Sequence, residues 1–163
     1  MSSQPESFSQ FEKLLAALVA NNVDFAVVGG VAITLNGYTR ATDDVDIIVQ
    51  DAPDNLHRLL DCLSQWGEGW ARELSPVDFV PQEGSIRVRE EFDLDIFTRM
   101  REKSLNDFRP RLRYFDDNGV RIPYLAPADL IYLKQGSWRD KDKLDVAAMR
   151  EIIARETQPP RSL

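Results

Sequence analysis

The amino-acid sequence predicts an α/β (α+β) protein in which helices flank one mixed β-sheet and further helices follow at the C-terminal end. Two short apolar runs, residues 23–28 and 44–49, have the length and composition of buried strands. Apolar residues at helical spacing come before and after these runs. Later segments alternate between polar and apolar residues, as the strands of β-hairpins do. The 163 residues fit a single domain, with its core at about residues 8–125 and a helical part at about 126–156.

The N-terminal half alternates between helix and strand. Ser9 followed by Glu12 fits a capping box at the start of the first helix, and Asn21-Asn22 marks its end. The strand at 23–28 leads directly into Gly29-Gly30 and a short helix over 31–35. After the strand at 44–49, a helix is expected from Pro53 onward. The apolar stripes of the two longer helices are Phe11, Leu14, Leu15, Leu18 and Val19, and then Leu56, Leu59, Leu60 and Leu63.

The C-terminal half contains hairpins and then helices. Residues 67–84 are rich in turn formers, with a short strand expected at 77–80. Segments 85–89 and 92–97 form one predicted hairpin, and segments 112–115 and 120–124 form another around Asp117-Asn118-Gly119. Helices are predicted at 128–134 and 142–153, the second with Leu144, Ala148 and Ile152 on its apolar face.

Composition excludes several classes of protein. The chain has 20 Lys and Arg against 27 Asp and Glu, a net charge of −7, which argues against a protein that coats DNA or RNA. A single cysteine and a single histidine exclude an internal disulfide and any site that needs two imidazoles. No apolar run approaches the ~20 residues that span a bilayer, and the N-terminus lacks the features of a signal peptide. We therefore expect a cytoplasmic protein without membrane contact.

Two features at strand ends point to chemistry. Gly29-Gly30 joins a strand to a helix, and glycine lets backbone approach a ligand closely, although such joints also occur as plain tight turns. Asp44 and Asp46, at positions i and i+2 of a strand, share one face. Two carboxylates side by side repel each other unless they are solvated or a cation lies between them.

Asp93 and Asp95 repeat this spacing on a later strand. If the two strands are neighbours, three or four carboxylates converge. Such a set of oxygen ligands suits Mg²⁺ or Mn²⁺ and does not suit zinc. A magnesium site of this kind completes its coordination with water and substrate phosphates, for which the Gly-Gly turn would provide the cradle.

These motifs together resemble the DNA polymerase β-type nucleotidyltransferase superfamily. The resemblance runs from Gly29-Gly30 through residues 36–42 (NGYTRAT) to residues 44–49 (DVDIIV). It is strongest to small bacterial members, including minimal nucleotidyltransferases and the abortive-infection toxin group. The segment from Lys134 through Arg139 and Lys141-Asp142 to Asp145 also resembles the one that follows in such proteins.

The resemblance implies a nucleotidyltransferase fold and the transfer of a nucleoside monophosphate from an NTP, such as ATP, to a hydroxyl acceptor with release of pyrophosphate. In that scheme Asp44 and Asp46 hold the metal ions, and Gly29 and Gly30 approach the triphosphate. The third carboxylate, which is both catalytic and a metal ligand, is Asp95 or else Asp93.

Three more residues are candidates for nucleotide binding. Arg40 could contact a phosphate through its fork of donors, or form an ion pair with Asp43. Thr42 could bind the triphosphate or hold its own loop. Lys134 is either a counter-charge for phosphate or an exposed helix residue, whereas Asp145 is expected to be structural.

The partners remain open at this level. The acceptor could be a small molecule, an RNA end or a protein, and the acidic composition argues against extended nucleic acid. A protein partner, such as an antitoxin, or a homodimer is also compatible with the sequence. The alternative to an enzyme is a non-catalytic nucleotide- or partner-binding module of the same fold, as in a toxin–antitoxin pair. A metal-dependent phosphohydrolase lacks support, because the chain does not have the histidines common in such sites.

Overall fold

The computed structural model describes residues 6–158 as one six-stranded mixed sheet with helices packed on it. Residues 1–5 and 159–163 of the predicted single domain lie outside this range. The strands are β1 (Phe25–Val28), β2 (Asp44–Val49), β3 (Ser85–Arg89), β4 (Asp93–Phe97), β5 (Arg113–Asp117) and β6 (Val120–Tyr124). The helices are α1 (Glu6–Ala20), α2 (Gly29–Leu35), α3 (Pro53–Leu63), α4 (Leu105–Phe108), α5 (Pro127–Lys134) and α6 (Asp140–Glu156).

The sheet combines parallel and antiparallel pairs, which confirms the predicted fold class. Its order is β3-β4-β2-β1-β6-β5. β2 runs parallel to β4, and β1 runs parallel to β6. The other neighbours are antiparallel. The central strands β1 and β2 are therefore hydrogen-bonded along both edges, and all four residues of β1 are buried.

The hydrophobic core forms where α1 and α3 pack with the sheet. The leucines predicted for α3 are all buried, as are Phe11, Leu14, Leu15 and Leu18 of α1. Phe92, beside β4, packs between α1 and the turn that follows α3. Its ring centroid lies 4.7 Å from that of Phe11 and 5.0 Å from that of Trp66. These contacts anchor β4, one of the two strands that carry the paired aspartates.

The predicted turn between β5 and β6 is present for a clear local reason. Asn118 and Gly119 have φ values of 50° and 87°. Both residues of a type I′ turn need positive φ, and Asn-Gly is the pair that adopts it most readily. The hairpin register follows from this turn, with Asp117 opposite Val120.

Three local predictions were wrong. α1 begins at Glu6, so Ser9 lies inside the helix and does not cap it. Residues 77–80 contain no strand, because Pro76–Asp78 forms a single 3₁₀ turn capped by Ser75. On α6, Leu144 points outward with 60% exposure, and the buried residues are Asp145 and Met149. The inner face of α6 was hard to predict because its central residue is charged.

Within residues 6–158, none of the helices has the length and apolar character that crossing a membrane requires.

Candidate active site

Four aspartates lie in register on one face of the sheet. Because β2 and β4 are parallel neighbours, Asp44 stands opposite Asp93, and Asp46 stands opposite Asp95. The residues between them point into the core, where Val45 and Leu94 are fully buried. Alternation along each strand thus gives one apolar face and one acidic face.

The acidic face brings three of the four carboxylates into one group. One oxygen from each of Asp44, Asp46 and Asp95 lies within 4.8 Å of the others. Asp95 is the more enclosed of the β4 pair, with a side chain 8% exposed against 31% for Asp93. The geometry therefore groups Asp95, and not Asp93, with the aspartates of β2.

The pKa values of two members of this group are shifted in opposite directions by their surroundings. Burial, with the charges of Asp44 and Asp95, raises the pKa of Asp46 to about 7. Hydrogen bonds from Arg87 instead lower the pKa of Asp95. The negative charge of the group is therefore compensated at Asp95 and poorly compensated at Asp46.

Arg87 of β3 is the residue that sequence reasoning missed. Its Nε donates to Asp95 Oδ1 and its Nη2 to Asp95 Oδ2, both at 2.8 Å. Its Nη1 donates to Asp93 at 3.2 Å, and Nη2 also lies 3.5 Å from Asp44 Oδ2. The alternation of polar and apolar residues in the predicted hairpin could have pointed to Arg87. Once the register of the hairpin is known, Arg87 lies directly opposite Asp95.

The Gly29-Gly30 turn lies directly against the acidic group. α2 begins at Gly29 without any intervening loop, and Gly29 has φ of +64°. A Cβ at Gly29 would overlap Asp46 Oδ2 and lie 3.0 Å from its Cγ. A Cβ at Gly30 would lie 3.0 Å from both Arg40 Nη2 and Thr42 Oγ1. Both glycines are therefore required for close packing between this turn and the candidate site residues.

We expect Gly29→Ala to lower the free energy of unfolding by about 2 kcal/mol, since the substitution combines positive-φ strain with displacement of Asp46. Gly119→Ala is the matched control: Gly119 also has positive φ, but a Cβ there would meet no other atom within 4 Å. Urea denaturation of both variants measures the difference. Equal losses would show that the contact with Asp46 contributes nothing.

A second charged group borders the site and joins three elements. Arg40 Nη2 donates to Asp145 Oδ2 at 2.9 Å, and its Nε lies 2.8 Å from Oδ1. Lys134 Nζ donates to Asp145 Oδ2 at 2.7 Å and to Asp142 Oδ1 at 2.9 Å. Asp145 is completely buried. The partner of Arg40 is thus Asp145 and not Asp43, and the expected structural role of Asp145 has a geometric basis.

The other two candidates for nucleotide binding border the same space. Lys134 is not an exposed helix residue, since only 16% of its side chain is accessible, and its charge is close enough to lower the pKa of Asp46. Thr42 Oγ1 donates to the backbone oxygen of Asp44 at 3.1 Å. Thr42 therefore holds its loop against the start of β2.

An open cavity of about 460 Å³ adjoins Arg87 at the outer edge of the sheet. It is lined by the short segment after α3 and by β3: Trp70, Glu73, Leu74, Arg87, Val88 and Arg89. Because Arg87 lines this cavity and also contacts Asp95, the cavity lies next to the acidic group.

The chain is similar to known nucleotidyltransferases in both sequence and structure. Residues 7–156 match the family described as "Nucleotidyltransferase of unknown function (DUF6036)". No curated protein matches the sequence significantly.

Three solved structures share the fold at low sequence identity. The lincosamide antibiotic adenylyltransferase LnuA, solved with lincomycin bound, has a TM-score of 0.62 and 15% identity over 88% of this chain and 96% of its own. The antibiotic-resistance factor ANT(2'')-Ia has a TM-score of 0.59 and 14% identity over 92% and 87%. A nucleotidyltransferase described as putative, from Thermotoga maritima, has a TM-score of 0.52 and 17% identity over 94% and 93%.

The sequence match spans nearly all of the described residues, and the shared fold agrees with it. The superfamily resemblance carried by the Gly-Gly turn and the paired aspartates is thereby confirmed. The chain belongs to the nucleotidyltransferase family DUF6036.

Proposed function

We propose that this protein is an active, metal-dependent nucleotidyltransferase that transfers a nucleoside monophosphate from an NTP to a hydroxyl acceptor. The observation that carries the proposal is the grouping of Asp44, Asp46 and Asp95 directly beside the Gly29-Gly30 turn. A core-packing role does not require three carboxylates at one point, since they repel one another there.

The residues present fit a divalent cation. All three donors are carboxylate oxygens, which Mg²⁺ and Mn²⁺ prefer. Burial and the charges of Asp44 and Asp95 raise the pKa of Asp46 to about 7, because the charge of Lys134 only partly offsets them. We infer that Asp44, Asp46 and Asp95 hold the metal. When bound, divalent ions would neutralise charge on the triphosphate and activate the attacking hydroxyl.

The surrounding residues position the nucleotide in this scheme. Gly29 and Gly30 carry no side chains, so Asp46, Arg40 and Thr42 lie directly against their turn, and in this scheme the triphosphate binds beside that turn. Lys134 Nζ uses two donors on Asp142 and Asp145, which leaves a third for a phosphate oxygen. Arg40 and Thr42 contact the same turn and fix the loop that leads into β2.

The transfer itself is an in-line displacement at the α-phosphorus. The acceptor oxygen forms a bond to that phosphorus while the bond to the β-phosphate oxygen breaks, and pyrophosphate leaves. We propose that Asp95 accepts the proton of the acceptor hydroxyl, because it lies in the group with Asp44 and Asp46. Asp93 remains the alternative until the two are compared by substitution. Catalysis of this kind depends chiefly on positioning and charge neutralisation.

The acceptor that we favour is a small hydroxyl compound. The cavity beside Arg87 is open, of modest volume and lined by Trp70 together with charged side chains. Two relatives in fold are described as an antibiotic adenylyltransferase and an antibiotic-resistance factor. An RNA end and a protein hydroxyl are the competing acceptors.

The test combines binding and turnover. Thermal unfolding is followed with ATP, CTP, GTP or UTP, each with and without Mg²⁺, and pyrophosphate release is followed with panels of small hydroxyl compounds, RNA ends and proteins. At a hundredfold excess over Kd, the bound nucleotide should add ~2.7 kcal/mol of stability. This gain should require NTP and Mg²⁺ together, and Asp44→Asn/Asp46→Asn should abolish it.

Asp116→Asn serves as the control, because Asp116 is an exposed aspartate of β5, at the far edge of the sheet. It should behave like the unmodified protein. Absence of any stabilisation by NTP and Mg²⁺ would contradict the proposal. Stabilisation without release of pyrophosphate from the NTP in the presence of any of the acceptors would instead favour the non-catalytic binding module.

A further inference from the structure

We propose that Arg87 is an internal counter-ion that holds the acidic group together without metal and is displaced when a divalent cation binds. This inference rests on the proposed function, because it concerns how two of the proposed metal ligands, Asp44 and Asp95, exchange one positive partner for another. It makes Arg87 a positioning residue.

The contacts of Arg87 place its guanidinium where a shared cation would lie. Both oxygens of Asp95 are occupied by Arg87, through Nε and Nη2 at 2.8 Å. The same Nη2 lies 3.5 Å from Asp44 Oδ2. The guanidinium therefore fills the space between the two carboxylates that would together ligate an ion. A ligating oxygen stands ~2.1 Å from Mg²⁺, so the ion and the guanidinium cannot both occupy this space.

Electrostatics favours Arg87 beside the carboxylates when no metal is bound, and favours its departure when a divalent cation binds. Without a cation, the aspartates of β2 and β4 repel one another across adjacent strands, and the fork of Arg87 bridges three of them: Asp44, Asp93 and Asp95. With a divalent cation in place, the positive charge of Arg87 would repel it at short range. One cationic partner thus excludes the other.

The structure offers Arg87 a place to move to. Its side chain is 41% exposed, and β3 is an edge strand, with β4 as its one neighbour among the strands of residues 6–158. The cavity of about 460 Å³ lies there, with Trp70 and Glu73 in its wall. A carboxylate and an aromatic face are both suitable partners for a displaced guanidinium.

Isothermal titration with MnCl₂ alone, without nucleotide, tests this inference on the intact chain. Arg87→Met removes the charge and keeps an apolar stem, and we expect it to bind Mn²⁺ roughly tenfold more tightly than the unmodified protein. Arg89→Met is the matched control. Arg89 lies on the same strand and face but is 74% exposed and stands 3.8 Å from Asp93, so its removal should change the Kd less than about twofold.

Thermal unfolding gives a second readout that does not depend on activity. Without metal, Arg87→Met should unfold at a lower temperature than Arg89→Met, and Mn²⁺ should restore more of that loss than it adds to the unmodified protein. Arg87→Lys, which keeps the charge but loses the fork, should bind Mn²⁺ nearly as weakly as the unmodified protein. Arg87→Gln, which removes the charge but keeps a polar side chain, should bind Mn²⁺ as tightly as Arg87→Met and covers the case in which Arg87→Met does not fold.

The outcomes separate this inference from the proposed function. If the unmodified protein binds Mn²⁺ and neither Arg87→Met nor Arg87→Gln binds it more tightly than Arg89→Met, the counter-ion role is overturned and the metal site stands. If no variant binds Mn²⁺, the metal site fails and the exchange fails with it. Tight binding by Arg87→Met beside weak binding by the unmodified protein supports both.

Discussion

Asp145→Asn is expected to lower the free energy of unfolding by about 3 kcal/mol, because it leaves two partly buried cationic side chains without their shared, fully buried anion. Arg40 and Lys134 both direct donors at Asp145, which is completely buried. Asparagine has nearly the same shape as aspartate, but its side-chain NH₂ group is a hydrogen-bond donor. It would face the donors of Arg40 and Lys134, with which it cannot form a hydrogen bond. For a domain of this size the loss corresponds to a fall in Tm of about 6–12 °C.

Asp142→Asn is the matched control for this prediction. Asp142 also accepts a hydrogen bond from Lys134, at 2.9 Å, but its side chain is 19% exposed and solvent can replace part of the interaction. We expect it to cost about 1 kcal/mol. Chemical denaturation of both variants under the same conditions gives the comparison. If Asp145→Asn costs no more than Asp142→Asn, the buried charge group does not hold the loop of Arg40 to α6.

Asp95→Asn is expected to lower kcat by about 10³-fold while leaving the fold intact, since loss of a positioned proton acceptor typically costs 10²–10⁴-fold. The acceptor hydroxyl would lose its base, and the metal would lose one of three ligands. The measurement is steady-state pyrophosphate release once an acceptor has been identified by the panel described above.

Asp93→Asn provides the comparison. Asp93 lies on the same face of β4 as Asp95, two residues earlier, and is paired with Asp44 as Asp95 is with Asp46. Its carboxylate lies at the rim, where it contacts Arg87 and Arg89. We expect it to retain activity to within about tenfold. A large loss for Asp93→Asn with little change for Asp95→Asn would exchange the two roles.

The central part of the fold and of the site could be predicted from the sequence because the signals there are local. Residues 44–49 form β2 with the predicted bounds. Alternation alone placed Asp44 and Asp46 on one face of it, and Asp93 and Asp95 on one face of β4. The Asn118-Gly119 turn was likewise predictable, since its two positive φ values are a property of the dipeptide.

Arg87 and the partner of Arg40 depend on contacts between distant segments, which no local pattern encodes, whereas the error at residues 77–80 is local. Arg87 could be recognised only with the register of β3 against β4 in hand. Asp145 and Arg40 are 105 positions apart, so the nearby Asp43 was the natural but incorrect partner to expect. Residues 77–80 have apolar content suited to a strand, yet Pro76 and the Ser75 cap favour a 3₁₀ turn.

The large sequence separation between Arg40 and Asp145 has a consequence for folding during biosynthesis. During translation the β1–β2 region leaves the ribosome long before α6 does. Until α6 emerges, the guanidinium of Arg40 has no counter-charge from Asp145, and the loop that carries it is not fastened. The loop that carries Arg40 should therefore be fastened late in synthesis, when α6 docks and brings Asp145 to it.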